Sequence, residues 1–445
     1  MFGLDINIIS KYKDNKMFYN IFCLINTLLI FIFYAIDRQY VMYYIFLGAT
    51  ISLVLTNQIK YILPYMIMFT MSMSASITNL PLTISLLGLF ILSVIGYFIY
   101  NRPKIKIKKH GLMIILFAIS TFIPIFWYKE IENLHEVYII TYSFYFVFFL
   151  TYLIFKSSKE SLLKPLIIVV SYIPLLLMLE LVFYFITVPN TNFQGGIFLG
   201  WAGGNHASMM ILFSFPFVMY RFYTEKKLIP LFLIICSILS IIFGFSRAGY
   251  LFFIIELIIF FIYTLYYYRD KPTLFKIRKA MSRNYLTTIT IVSTICVLLL
   301  ITVLSIPNMK EMLQKVLDDN GRFDVYLKGL EQLTLNFRNF ILGRGFVSDY
   351  ILYDGVFLLY HNTFIQALVT GGIIMFILMI IHFIQKYLFF KHKRNLFMTC
   401  LLIGFIITDL YGITDTTYFS AYFTIVFTCI SVCFEDNEEE ILKLI

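Results

Sequence analysis

Charge is scarce in this chain. Only 13% of its 445 residues are Asp, Glu, Lys or Arg, against about 25% in a soluble domain. With 60% hydrophobic residues and a mean hydropathy of +0.85, that scarcity excludes a water-soluble enzyme and implies a polytopic membrane protein. At roughly 20 apolar residues per span, fourteen spans use about 280 residues and leave no room for a soluble catalytic domain. Cysteine is scarce as well. Cys23, Cys236, Cys296, Cys400, Cys429 and Cys433 all fall in apolar runs, which argues against a disulfide framework or a zinc module. Even Cys429 and Cys433, one helical turn apart, read as packing residues.

What is abundant is apolar sequence broken by short charged segments. The runs predict spans near 17–36, 40–56, 61–77, 80–100, 111–128, 137–155, 165–187, 206–220, 228–245, 249–268, 285–305, 361–385, 396–412 and 417–434. The expected fold is all-α, with 12–14 transmembrane helices and one long outer loop, 306–360, carrying short amphipathic helices. Asp5 and Asp14 interrupt the N-terminal stretch and the first apolar run is a full span long, so it reads as a retained helix rather than a cleaved signal. With the N-terminus inside, the inside segments hold 26 Lys and Arg and the outside segments the other 9. Both termini are therefore expected in the cytoplasm. The net charge of +10 then follows from topology and calls for no nucleic-acid partner, and the Lys-rich loop at 101–110 suits anionic headgroups. Glu435 to Glu440 read as a solvated acidic end. Three regions result: N-terminal helices over 1–190, a chemistry-bearing region over 191–385, and C-terminal helices with the acidic tail over 386–445.

Polar groups at a membrane mark function because they are costly there. The 306–360 loop is unusually long, and the helical spacing of its apolar residues predicts helices lying over the membrane face. After it, Gly343 and Gly345 bracket Arg344, His361 and Asn362 open the next span, and Gly371-Gly372 allows close helix approach. Arg247 lies between two apolar runs with almost no loop, so it either faces a cavity or an anion, or snorkels to headgroups. Ser246 and Gly249 on either side favour a tight turn. The glycine-rich segment 189–208 carries Asn205-His206 at a span mouth, read either as a ligand-approaching loop or as a connector with a cap. Glu180 and Glu256 are expected inside the membrane, with a functional and a packing reading both open.

These residues resemble the O-antigen ligase and polymerase family of membrane enzymes. The matches are Gly204-Asn205-His206-Ala207, Ser246-Arg247-Ala248-Gly249, Gly321-Arg322, Leu342-Gly343-Arg344-Gly345-Phe346 and His361-Asn362-Thr363-Phe364-Ile365-Gln366 with Gly371-Gly372. They run in order over about residues 195–375, while the N-terminal third contributes only a compatible span count. The resemblance implies a bacterial cytoplasmic-membrane glycosyltransferase that moves glycan from undecaprenyl diphosphate to an acceptor hydroxyl at the outer face. It implies His361 as the catalytic base and Arg247 and Arg322 as holders of the diphosphate. Arg344, Asn205, His206 and Asn362 are further candidate substrate contacts. Gly204 stands where the family usually has Pro, which weakens the reading of Asn205 and His206. Implied partners are the lipid-linked oligosaccharide, a glycan acceptor, the bilayer, a chain-length regulator and a flippase.

The chemistry is consistent with this reading. A departing diphosphate gathers negative charge that guanidinium groups can stabilise. The outer loops contain no tight Asp-x-Asp pair, Asp318-Asp319 being the nearest, so a metal-independent, cofactor-free site is expected. Cationic surroundings favour a neutral imidazole able to accept the hydroxyl proton. A polymerase that joins repeat units into an O-antigen or capsule-type polysaccharide is favoured over a ligase acting on a finished glycan. A flippase for lipid-linked glycans is the reading from another class. Transporters are commonly built from two related halves, and here the motifs lie in the C-terminal portion alone. Convergence of Arg247, Arg322 and His361 is the central structural expectation.

Overall fold

A computed structural model describes residues 16–36, 38–57, 59, 80–123, 149–158, 161–187, 198–199, 202–225, 228–244, 246–268, 322–345, 351–353, 356–358, 360–392, 395–417 and 421–436. Helices dominate: α1 (Lys16–Ala35), α2 (Gln39–Leu55), α3 (Leu80–Asn101), α4 (Lys109–Phe122), α5 (Leu163–Ser171), α6 (Ile173–Thr187), α7 (Gly204–Glu225), α8 (Leu228–Phe243), α9 (Arg247–Tyr268), α10 (Arg322–Thr334), α11 (Phe337–Leu342), α12 (Thr363–His392), α13 (Leu396–Tyr411) and α14 (Ala421–Asp436). Residues 149–157 are helical too. Two short antiparallel hairpins, β1 (Phe198–Leu199) with β2 (Ala202–Gly203) and β3 (Ile351–Tyr353) with β4 (Val356–Leu358), were not expected from the sequence. The first feeds directly into α7.

Helices are what apolar segments must form where no water can satisfy the backbone. Among the described residues, Met17–Ala35, Leu163–Tyr184, Arg247–Thr264 and Thr363–Phe389 are long and apolar enough to cross a membrane, and five shorter helices are apolar. Rows of exposed large hydrophobics line α1 (Ile21, Leu24, Ile25, Leu28, Ile32) and α9 (Leu251, Ile254, Ile258, Phe261, Ile262). Soluble monomers rarely present such surface, and the chain is a membrane-embedded helical protein. The expected spans 61–77 and 285–305, most of 137–155 and the end of 111–128 lie outside the described residues, and the described parts of the others fall largely on helices.

The centre of the bundle is α7, buried continuously from Ala207 to Arg221, as an all-round apolar helix must be. Lipid tails give helices little hydrophobic reason to associate, so small residues and close packing do the work. A Cβ on Gly404 of α13 would lie 2.2 Å from Pro216 Cγ of α7, which shows how near the two helices run. Phe213 meets Phe405 and Phe423 with ring centroids 5.5 and 4.7 Å apart. Each such pair contributes about 0.5–1.5 kcal/mol beyond its burial.

The expected span 361–385 is not one straight crossing. A continuous helix would separate Phe364 from Phe383 by about 28 Å along its axis, yet their ring centroids are 5.9 Å apart. The chain reverses at Gly371 (φ −123°, ψ 15°) and Gly372 (φ 66°, ψ −165°), so α12 is a hairpin of a short limb, 363–370, and a long limb, 373–392. Glycine is required at the apex. A Cβ on Gly372 would sit 2.4 Å from the Ile341 carbonyl group, and one on Gly343 (φ 76°) would sit 2.3 Å from the Thr370 oxygen. Gly371-Gly372 thus brings α11, rather than another span, into close approach.

Three cations counted above as loop charges are buried ion pairs instead. Arg221 Nε lies 2.7 Å from Glu225 Oε1, with its Nη2 donating to Asn20 Oδ1 at 2.7 Å. Lys386 Nζ lies 2.6 Å from Asp409 Oδ2, which also accepts from Tyr387 Oη. Lys156 Nζ lies 2.9 Å from Glu435 Oε2. Glu435 is therefore no solvated end. It is 4% exposed, accepts from Tyr152 Oη at 2.9 Å and from the Gly111 amide at 2.7 Å, and so places an anion at the start of α4, where helix amides attract one. The five described cysteines are free and buried. Glu180 and Glu256 are fully buried.

Candidate functional site

At one end of the bundle, segments far apart in sequence are bonded together. Ser246 caps α9 by accepting the Gly249 amide at 3.1 Å, as a serine at a helix start does. Its hydroxyl donates to Asn205 Oδ1 at 2.8 Å. The buried Tyr411 donates to the Asn205 carbonyl at 2.9 Å, so the starts of α7 and α9 are fixed to the end of α13. This contact is close enough to exclude side chains: a Cβ on Gly204 would lie 2.2 Å from the Gly244 oxygen, and one on Gly249 2.3 Å from Ser208 Oγ. Glycine at 204 has a packing reason, and Gly249 serves helix approach more than the turn.

The start of α12 docks on the same junction. Asn362 caps the short limb, its Oδ1 accepting the amides of Phe364 and Ile365 at 2.9 and 3.1 Å. Its Nδ2 donates to the Ile413 carbonyl at 3.0 Å. Asn362, a candidate substrate contact in the sequence, therefore also holds the backbone. Thr363 closes the joint: its amide donates to the Gly412 carbonyl at 2.7 Å, its hydroxyl to the Asp415 carbonyl at 2.8 Å, and it accepts from the Thr417 amide at 2.9 Å.

Between these two anchors lies His361, in the left-handed region at φ 48°. A non-glycine residue there is strained, and such strain persists only where surrounding structure enforces it. The Tyr326 hydroxyl of α10 donates to the His361 carbonyl at 3.2 Å. Its imidazole Nδ1 lies 3.6 Å from Asp415 Oδ1, with the histidine side chain 32% exposed and the aspartate buried. That distance is an electrostatic pair just beyond hydrogen-bond length, a spacing common in catalytic pairs before substrate tightens them. A carboxylate at Nδ1 favours the proton there, which leaves Nε2 as the acceptor.

Asp415 was missed in the sequence, where it is one acid in the Thr-rich turn after α13. Burial pushes its carboxyl up, but the His361 imidazole, the charge of His206 and the Thr416 amide together hold it below its ordinary value of 3.8. His206, at the start of α7, thus acts on the same carboxylate. The available clue was an acid between threonines in a short connector, and it gave no partner until the fold was known.

Two of the three candidate arginines open helices that arrive at this junction. Arg247 is the first residue of α9, next to Ser246, and is half-buried. Arg322 is the first residue of α10, one helical turn, about 6 Å of rise, before Tyr326. Arg344 is half-buried at the other end of the short limb, where its amide donates to Val369 O at 2.8 Å and that of Gly345 to Thr370 O at 2.9 Å. The fold therefore gathers the segments bearing Asn205, His206, Arg247, Arg322 and His361 at one end of the bundle, and sets Arg344 apart at the hairpin apex. Among the described residues no group of three His, Cys, Asp or Glu side chains could hold a metal ion. No protein-family model, curated protein or solved structure matches this chain.

Proposed function

We propose that this chain is a membrane glycosyltransferase of the O-antigen polymerase type. It joins glycan repeat units carried on undecaprenyl diphosphate into a surface polysaccharide at the outer face of a bacterial cytoplasmic membrane. The observation that supports this reading is the pairing of strained, half-exposed His361 with buried Asp415, at a junction where the helices opening with Arg247 and Arg322 also arrive.

In this reading the acceptor hydroxyl oxygen forms a bond to the anomeric carbon of the donor sugar as the bond from that carbon to the diphosphate oxygen breaks. The hydroxyl proton passes to His361 Nε2, and the bonding electrons leave with undecaprenyl diphosphate. Asp415 orients the imidazole and stabilises its cation, as a carboxylate behind a base does. Arg247 and Arg322 hold the diphosphate and absorb its growing charge, while Arg344, set apart at the hairpin apex, takes no part in this step. No cofactor enters.

The test is the surface glycan length distribution on a gel, from host cells carrying wild-type protein, His361→Ala or Asp415→Asn at matched expression. Collapse of the ladder to single repeats, with lipid-linked repeats still reaching the outer face, supports polymerisation. An intact ladder that no longer reaches its final acceptor indicates a ligase. Repeats trapped on the cytoplasmic side indicate a flippase.

A further inference from the structure

Helix α10 has three distinct faces. Taking 100° per residue, each face covers an arc of about 60–80°, and the three are centred roughly 100–130° apart. One face, Val325, Gly329 and Leu333, is buried in a small core with Tyr360 and Val369, and Ile365 and Leu368 of the short limb pack against that core. The contact is tight: a Cβ on Gly329 would lie 2.6 Å from the Tyr360 ring. A second face, Asp324, Lys328 and Glu331, is exposed and charged. The third is exposed and apolar, with Phe323 at 60%, Leu327 at 45% and Leu330 at 41%.

A helix with protein on one side and water everywhere else has two environments. This one has three, and its third is large and apolar. Helix α11 extends it. Asn336 caps α11 through the Asn339 amide, and Asn339 Nδ2 donates to the Gln332 carbonyl at 3.3 Å, so the two helices move together, and Leu335, Phe337 and Phe340 are exposed alongside. Exposed apolar residues are found again past the apex on which α11 docks. Ile341 of α11 packs on Gly372, and the long limb below that apex exposes Ile374, Ile377, Ile384 and Leu388.

We propose that α10 and α11 lie in the plane of the membrane, with the stripe formed by Leu327, Leu330, Phe337 and Phe340 seated in the interfacial zone of a phospholipid leaflet. One face rests on α12, one on lipid and one on water, which is the arrangement of an interfacial amphipathic helix flanked by its own protein. An in-plane α10 holds all its residues at headgroup depth, including Arg322 at its start. That is the depth of the phosphates of any lipid-linked diphosphate, a clause that rests on the proposed function; the lipid seat itself does not.

The test uses the full chain in phosphatidylcholine–phosphatidylglycerol liposomes, with a nitroxide label on Leu327→Cys, Leu330→Cys or Phe337→Cys, and on Asp324→Cys or Glu331→Cys for comparison. The unsubstituted chain sets the labelling background. Collisions with oxygen report lipid, collisions with a water-soluble nickel chelate report water, and loss of both reports protein cover. The proposal expects an oxygen-to-nickel collision ratio above one at 327, 330 and 337 and below one at 324 and 331. Nickel-dominated collisions at 327 and 330 overturn it in favour of a water-exposed loop. Low collision rates with both reagents overturn it in favour of a second protein or a second copy covering the stripe. Because the positions sit on two helices, failure of one variant to insert leaves the others decisive.

Discussion

Substitution of a single hairpin glycine separates a required backbone shape from a merely permitted one. Gly372 sits at φ 66°, ψ −165°, a region open almost only to glycine, where another residue costs of order 1–3 kcal/mol. A Cβ there would lie 2.4 Å from the Ile341 carbonyl group, about 1 Å short of ordinary contact, so α11 must also retreat, at a further cost of roughly 1–3 kcal/mol. Gly372→Ala is thus expected to lose about 2–6 kcal/mol, a fall in Tm of roughly 4–12 °C at about 2 °C per kcal/mol. Gly96, inside α3, has nothing within 4 Å of an added Cβ. There alanine relieves a helix-interior glycine, and Gly96→Ala is expected to gain roughly 0.5–1 kcal/mol. The buried thiols supply the assay: Cys23, Cys236, Cys400, Cys429 and Cys433 react with a fluorogenic maleimide as the purified protein melts. Co-melting of Gly372→Ala with wild type, or an equal loss in both variants, would refute the reasoning that the apex needs glycine because α11 is pressed against it.

Asp415→Asn keeps shape but removes the charge behind His361, and a fall in glycan transfer of roughly 10²–10⁴ is expected, measured as the initial rate with purified lipid-linked repeats; Asp415→Glu should retain part of it. Because the Asp415 carboxyl is held below 3.8 in the fold, its stabilising contribution is complete above that pH and is lost as pH falls through the lower folded value. Any loss of activity on acidification between neutral pH and about pH 4 then belongs to a group other than Asp415, and a pH–rate profile of Asp415→Asn that still has an acid limb would show it. Glu435→Ala leaves Lys156 paired with Asp436 but removes the acceptor of Tyr152 Oη and the Gly111 amide, and should cost about 1–3 kcal/mol in the same melting assay.

Much of the helical framework could be read from the chain, because a membrane span leaves a long apolar run whose ends are marked by charge. Helix starts expected at 249 and 361 fall within two residues of Arg247 and Thr363, and the helical character of 322–334 also followed from local pattern. What escaped was everything set by contacts between distant segments. Periodicity reports how apolar a stretch is but not whether it reverses, so the Gly371-Gly372 hairpin read as one crossing. Charges beside helix ends read as loop charges, although Lys156 and Lys386 turn inward to acids supplied by the fold and Arg221, paired with Glu225 one turn on, reaches Asn20. The site shows the same division. His361 and the arginines stood out as costly residues at membrane boundaries, whereas Asp415 sits in an ordinary polar turn and gains its meaning only from His361, 54 residues earlier. Asn362 shows the converse, a polar residue at a conspicuous position whose amide also caps a helix and holds the Ile413 carbonyl.

The ion pair between Lys156 and the end of α14 also has a consequence in time. The ribosome makes Lys156 some 280 residues before Asp436, and at about 5–20 residues per second the wait is roughly 14–56 s. For that interval the lysine, the Tyr152 hydroxyl and the Gly111 amide in the first turn of α4 lack the carboxylate that will satisfy them, within a chain already entering the membrane. Early helices must therefore be held loosely or shielded by the insertion machinery until the last helix arrives, and a nascent chain stalled before residue 435 should be far more open to proteolysis than one released just after it.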